Sequence, residues 1–146
     1  MNSRQFLTQV KIKADLDSTE QAEKASRAIL SMLPDCLSTA ESNRVKAQLP
    51  KELQDWWHKS ILSQILPISK LRKKTTDQFL TTVQNRLPNT KQARNVTWAV
   101  FDTLKEQITP DMGMNIANQL PDGIEFLWQT PSIIADVSKR TKNGKK

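Results

Sequence analysis

One thiol and one imidazole, Cys36 and His58, could in principle pair as nucleophile and base in this 146-residue sequence. Their placement does not favour it. Cys36 falls between two helical patterns and His58 well inside another, with no loop recognisable as an oxyanion hole and nothing to orient the imidazole. Cys36 is therefore read as a small apolar packing residue and His58 as incidental. A lone cysteine and a lone histidine cannot build a conventional thiolate or imidazole metal site, and Cys36 has no partner for an internal disulfide. A reducing, cytoplasmic compartment is expected. The carboxylate pairs Glu20 with Glu23 and Asp122 with Glu125 occupy first turns of helical patterns, where negative charge complements the helix dipole rather than doing acid-base work. Three glycines leave no phosphate-cradling loop, which needs close backbone approach at several points in one short segment. The sequence thus predicts no catalytic residue, no cofactor, no metal site and no small-molecule substrate.

Charge is the more informative chemistry. The net charge is +7, but Lys70, Arg72, Lys73 and Lys74 contribute +4 without an acid among them, and Lys139, Arg140, Lys142, Lys145 and Lys146 contribute +5. The rest of the chain stands at −2, so the basicity belongs to a linker and a tail. Such segments can attract nucleic acid, phosphate head groups or an acidic protein by charge alone. No arginine-rich recognition helix and no interleaved aromatics accompany them, so sequence-specific base reading is not expected. The polar start Met1-Asn2-Ser3-Arg4-Gln5 does not read as a secretory signal, and no apolar run approaches the roughly 20 residues that cross a bilayer.

The elements that carry these residues are helical. Phe6, Leu7, Val10 and Ala14 make one apolar face at three- and four-residue spacing. A second stripe follows through Ala22, Ala25, Ile29 and Met32, after a turn in which Asp17 and Ser18 compete as cap, and Pro34 limits it. Ser38 with Glu41 has capping-box spacing for a third helix running to Leu49, where Pro50 breaks it and starts a fourth through Leu53, Trp56, Trp57, Ile61 and Ile65. After Pro67 and the basic linker, Thr75 with Gln78 again has capping-box spacing.

From there the pattern starts over. Phe6-Leu7-Thr8 and Val10 match Phe79-Leu80-Thr81 and Val83 at an offset of 73, while Ala22, Leu33, Leu37 and Gln48-Leu49-Pro50 match Ala93, Leu104, Ile108 and Gln119-Leu120-Pro121 at 71. The two-residue deletion falls at the turn containing Pro88. Thr109-Pro110 repeats the start of the third helix as cap and first position, and Asp122 to Trp128 opens a fourth helix expected to be shorter, cut off by Pro131. Strand alternation and hairpin dipeptides are missing. The expected fold is all-α, a tandem duplication of a three- to four-helix bundle unit packed as one pseudo-symmetric domain. Its parts are a first repeat at 1–67, a basic linker at 68–75, a second repeat at 76–138 and a basic disordered tail at 139–146. Each copy is too small for much core of its own, so the copies should pack face to face.

Phe6-Leu7, the run from Ala22 to Leu30, Leu33, Leu37-Ser38, Glu41 and Gln48-Leu49-Pro50-Lys51-Glu52-Leu53 together resemble the bacterial domain-of-unknown-function family numbered 2267. The resemblance covers both repeats and is clearest in the first. The second departs from it with Trp98 where the first has Arg27, and with Met112-Gly113-Met114 in its third helix. The resemblance implies a compact helical fold and no established activity, and it supplies no catalytic residue.

Two features remain as recognition candidates. The paired Gln-Leu-Pro turns read as structural punctuation, their glutamine amides serving backbone groups that the proline strands. Trp98 lies more than a right angle from the stripe of Ala93, Val96, Val100 and Leu104, so it is either covered by the first repeat or forms a surface for a partner or for self-association. The functional expectation is a non-enzymatic interaction or adaptor module for a protein partner, with Trp98 and the two basic segments as its binding residues. The alternative is non-specific nucleic-acid binding through the linker and tail.

Overall fold

Eight helices and no strand make up the residues described by the computed structural model, which are 2–58, 76–87 and 93–130. They are α1 (Ser3–Ala14), α2 (Thr19–Cys36), α3 (Thr39–Gln48), α4 (Lys51–Gln54), α5 (Thr76–Gln84), α6 (Ala93–Lys105), α7 (Pro110–Gln119) and α8 (Asp122–Gln129). None of them is long and apolar enough to cross a membrane. The basic residues Lys70, Arg72, Lys73, Lys74, Lys139, Arg140, Lys142, Lys145 and Lys146 lie outside the described residues, as do Ile61, Ile65, Thr75, Pro88 and Pro131.

The starts of the helices follow local chemistry. Asn2 and Gln5 form a complete reciprocal cap on α1, and Asp15 closes that helix in the left-handed conformation at φ 55°. Ser18 wins the competition at α2, where its hydroxyl accepts from the Gln21 N–H. Thr109 accepts from the Met112 N–H with Pro110 in the first turn of α7. At α3 only half of the expected box forms. Ser38 accepts from the Glu41 N–H at 3.1 Å, but its own N–H donates to Gln119 Oε1 at 2.7 Å, far along the chain. Glu41 turns instead toward Arg44 and Asn115.

Two boundaries differ from the sequence reading. Pro34 sits inside α2, which ends two residues later at Cys36, because a proline near the C-terminus of a helix forfeits only one intrahelical bond. The helix after Pro50 does not run through Trp57 but stops at Gln54, the chain continuing in tight i→i+3 turns at Trp56 and Trp57. That turn swings the Trp57 indole N–H onto the Ser42 carbonyl and hydroxyl, at 2.9 and 3.0 Å. Among the described residues the longer counterpart is α8, with eight residues against four.

The helices share one core. α1 packs on α2 and also along α6, and α5 packs on α6 and also on α2, so the two longest buried helices are each gripped by both N-terminal helices. α2 and α6 touch each other, as do α3 and α7, while α4 meets α1 and α8 meets α5. Phe6, Leu30, Leu33, Leu53, Phe79, Phe101 and Leu104 are among the fully buried side chains of a single cluster. Across the α1–α6 seam, Lys13 Nζ lies 3.0 Å from Asp102 and 3.2 Å from Glu106, and also donates to the Thr103 hydroxyl.

Trp98 is corrected by this packing. α6 is buried nearly all round, from Ala93 and Val96 through Phe101 to Leu104, so a residue off the main stripe still faces protein. Trp98 is only 3% exposed and its indole N–H donates to the Thr130 carbonyl at 3.1 Å. Of the two expectations for this residue, an exposed surface is therefore ruled out and the covered one holds, although its indole bonds Thr130 rather than a residue of the first repeat. Arg27, at the matching place on α2, is exposed, pairs with Glu23 at 2.9 Å and lies 5.2 Å over the Trp56 ring.

Candidate functional site

A cleft of about 370 Å³ opens where the C-terminus of α6, one face of α7 and the end of α8 meet. α7 supplies Pro110, Gly113, Met114, Ala117 and Asn118, whose spacing places them on one side of a helix. Lys105, Ile108 and Thr109 come from the preceding turn, and Trp128 and Gln129 close the opposite wall. Each wall is fixed by its own bonds. The Trp128 indole N–H donates to the Gly113 carbonyl at 3.0 Å, and its ring meets Phe101 edge-on with centroids 5.1 Å apart. Met114 stands at the rim, two-thirds exposed at 67%.

Lys105 is the one ion among the described residues that line this space. Its ammonium donates to the Trp128 carbonyl and lies 5.8 Å from the centre of the Trp128 ring. Burial holds its pKa below the usual lysine value; Asp102 pulls it back up and Lys13 pushes it further down. Asp102 cannot neutralise it fully, being engaged by Lys13 at 3.0 Å. The result is a partly desolvated cation at the mouth of an apolar cleft, with no ion pair among the described residues.

Gly113 makes room for this arrangement. Ser42 occupies the matching place on α3, and there the Trp57 indole bonds both its carbonyl and its hydroxyl. At Gly113 a Cβ would find only the Trp128 ring, at 4.0 Å, so the wall is thinner by a side chain. Likewise Lys105 stands where the first half has Pro34, which is buried.

Of the residues expected from the sequence to recognise a partner, only Trp98 falls among the described residues, and it does not line the cleft. Trp98 is buried elsewhere on α6, and the nine basic residues fall outside the described segments. Cys36 is buried with its thiol directed at the Met32 carbonyl, whereas His58 is exposed. Glu23 serves Arg27, and Glu125 accepts from the Gln129 amide. Among the described residues no cluster of three His, Cys, Asp or Glu side chains could hold a metal ion. The sequence does not single out the cleft residues as it does the aromatic at position 98, because none of them is conspicuous by itself. Their signal lay in the same comparison of halves, in a glycine replacing Ser42 inside a helix and a lysine replacing Pro34.

No curated protein matches the chain. The model of one family, described as "Uncharacterized conserved protein (DUF2267)", matches residues 3–127, which is most of the sequence, and the chain belongs to that family.

Proposed function

We propose that the protein is a non-enzymatic helical interaction module, and that it binds a protein partner through the cleft between α6, α7 and α8. The cleft itself carries this reading. Apolar walls with a few placed polar groups suit a partner's side chain, and the described lining offers no thiol, imidazole or carboxylate to relay a proton. A cytoplasmic setting belongs to the same reading, on the strength of the single cysteine. The test is capture from the native cell with the wild-type chain, with Gly113→Leu and with the chain shortened before residue 139. A partner held by the first and third but lost from the second supports the module. Turnover abolished by one substitution would overturn it.

We infer further that the chain is a tandem duplication. Ser38 and Thr109 cap α3 and α7 alike; Leu49 and Leu120 enter the prolines with nearly equal backbone angles, φ −89° and ψ 151° against φ −87° and ψ 153°. Trp57 and Trp128 each reach back fifteen residues to a backbone carbonyl. The matching positions Ser26 and Thr97 both hold buried hydroxyls without a hydrogen-bond partner. All of this supports two copies of one unit.

A second reading, non-specific nucleic-acid binding, rests on the sequence charge of the segments 70–74 and 139–146. It requires affinity that falls steeply with salt, with a slope reduced by deleting the second segment.

A further inference from the structure

We infer that the occupant of the cleft is an acidic peptide segment, which places one apolar side chain between Trp128 and α7 and sets a carboxylate against Lys105. This deepens the interaction-module reading and rests on it. The cavity of about 370 Å³ is near the lower end of ligand-site volumes, room for a side chain or two rather than for a folded surface. Ile108, Pro110, Met114, Ala117 and the Trp128 ring give that side chain apolar contact.

Charge selects among occupants. A cationic segment would meet Lys105 with no carboxylate among the described lining residues to receive it. A neutral one would strip more water from an ammonium that is already partly desolvated and offer no counter-charge, which costs free energy. A carboxylate recovers that cost by direct pairing. A phosphate group fits less well, because its greater charge calls for several converging cationic donors and Lys105 is the one cation among the described lining residues. Lys105 is also held in place by the Trp128 carbonyl, so little side-chain freedom is lost on pairing. The matching region of the first half lacks this pair of features, since Ser42 thickens the wall and Pro34 replaces the lysine. Recognition is therefore assigned to the second half alone.

The test uses the full chain, labelled for NMR, and three short capped peptides with two leucines flanking glutamate, glutamine or lysine. The glutamate peptide should shift the Trp128 indole N–H and the Gly113 amide saturably. The glutamine peptide should bind about two- to fivefold more weakly, as expected for a partly exposed charge pair, and the lysine peptide should give no saturable shift. Lys105→Met should bind the first two alike, and Gly113→Leu, which sets a branched side chain against the Trp128 ring within the cleft, should bind none. Equal binding of the glutamate and glutamine peptides by the wild type, or shifts mapping away from α7 and α8, would overturn the inference. If no peptide binds while capture of a partner still depends on Gly113, the acidic chemistry is wrong and the module stands. Selective binding of the glutamate peptide with no protein captured leaves the ligand chemistry standing and removes the module.

Discussion

Two glycines on neighbouring helices make opposite demands. Gly113, inside α7, has an ordinary backbone, and a Cβ there would make only an ordinary contact with the Trp128 ring at 4.0 Å, so Gly113→Ala should stabilise the fold by about 0.5–1 kcal/mol through helix propensity. Gly123, at the start of α8, donates its N–H to the Thr76 hydroxyl, and a Cβ there would lie 2.6 Å from Thr76 Cγ2. A β-branched side chain cannot swing away, so Gly123→Ala should cost about 1–3 kcal/mol by overpacking. Urea titration of both variants checks the pair. Lys105 gives a pH signature. Its folded pKa is lowered chiefly by burial, with Asp102 on α6 opposing and Lys13 on α1 adding, while Glu106 faces Lys13. Between that lowered value and the unfolded lysine value of 10.5 the unfolded chain holds the extra proton. Stability contributed by this group therefore rises with pH through that window, and Lys105→Met should abolish the rise. Thermal melts across the alkaline range would show an unchanged slope if the burial argument is wrong.

At the scale of elements, the α3–α7 contact is held by groups that a sequence would assign to local capping. Gln119 accepts from the Ser38 N–H and donates to the Asn115 carbonyl, while Asn115 donates to Glu41. Replacing Gln119 with leucine removes the acceptor of a helix-start N–H, which costs about 1–3 kcal/mol when no other group replaces it. Glu41 has the spacing to take over, so Gln119→Leu combined with Glu41→Ala should lose more than the sum of the single changes. Strict additivity in a double-mutant cycle would show that the two do not share Ser38. Most helix starts were legible because caps are local, as at Ser18, Thr109 and Pro110. Gln48 and Gln119 were read as equivalent, yet Gln48 is exposed and the stranded Leu49 carbonyl is served by Gln54. That difference depends on which helix lies opposite, and no local pattern encodes it.

On the scale of the whole molecule, helical content was readable from periodicity, whereas the placement of Trp98 was not. Off-stripe position predicts exposure only for a helix with one buried face, and α6 is covered on several. The cleft was likewise hidden, because it arises from missing atoms at Gly113 rather than from any conspicuous residue. Since α1 grips α6 and α5 grips α2, neither half owns a complete core. Residues 1–67 and 68–146 expressed separately should each lack a cooperative melt, and mixing them should restore helicity; a sharp transition in either piece alone would contradict the shared core.

The grip of α1 on α6 also fixes an order of events in time. During synthesis α1 and α2 are complete long before Lys105 is joined, and at ordinary elongation rates of about 5–20 residues per second the interval is roughly 3–14 s. For that interval Phe6, Val10 and the apolar side of α2 lack the cover that α6 supplies. The nascent chain is thus at its stickiest while half made, and slow codons before residue 93 would prolong the exposure.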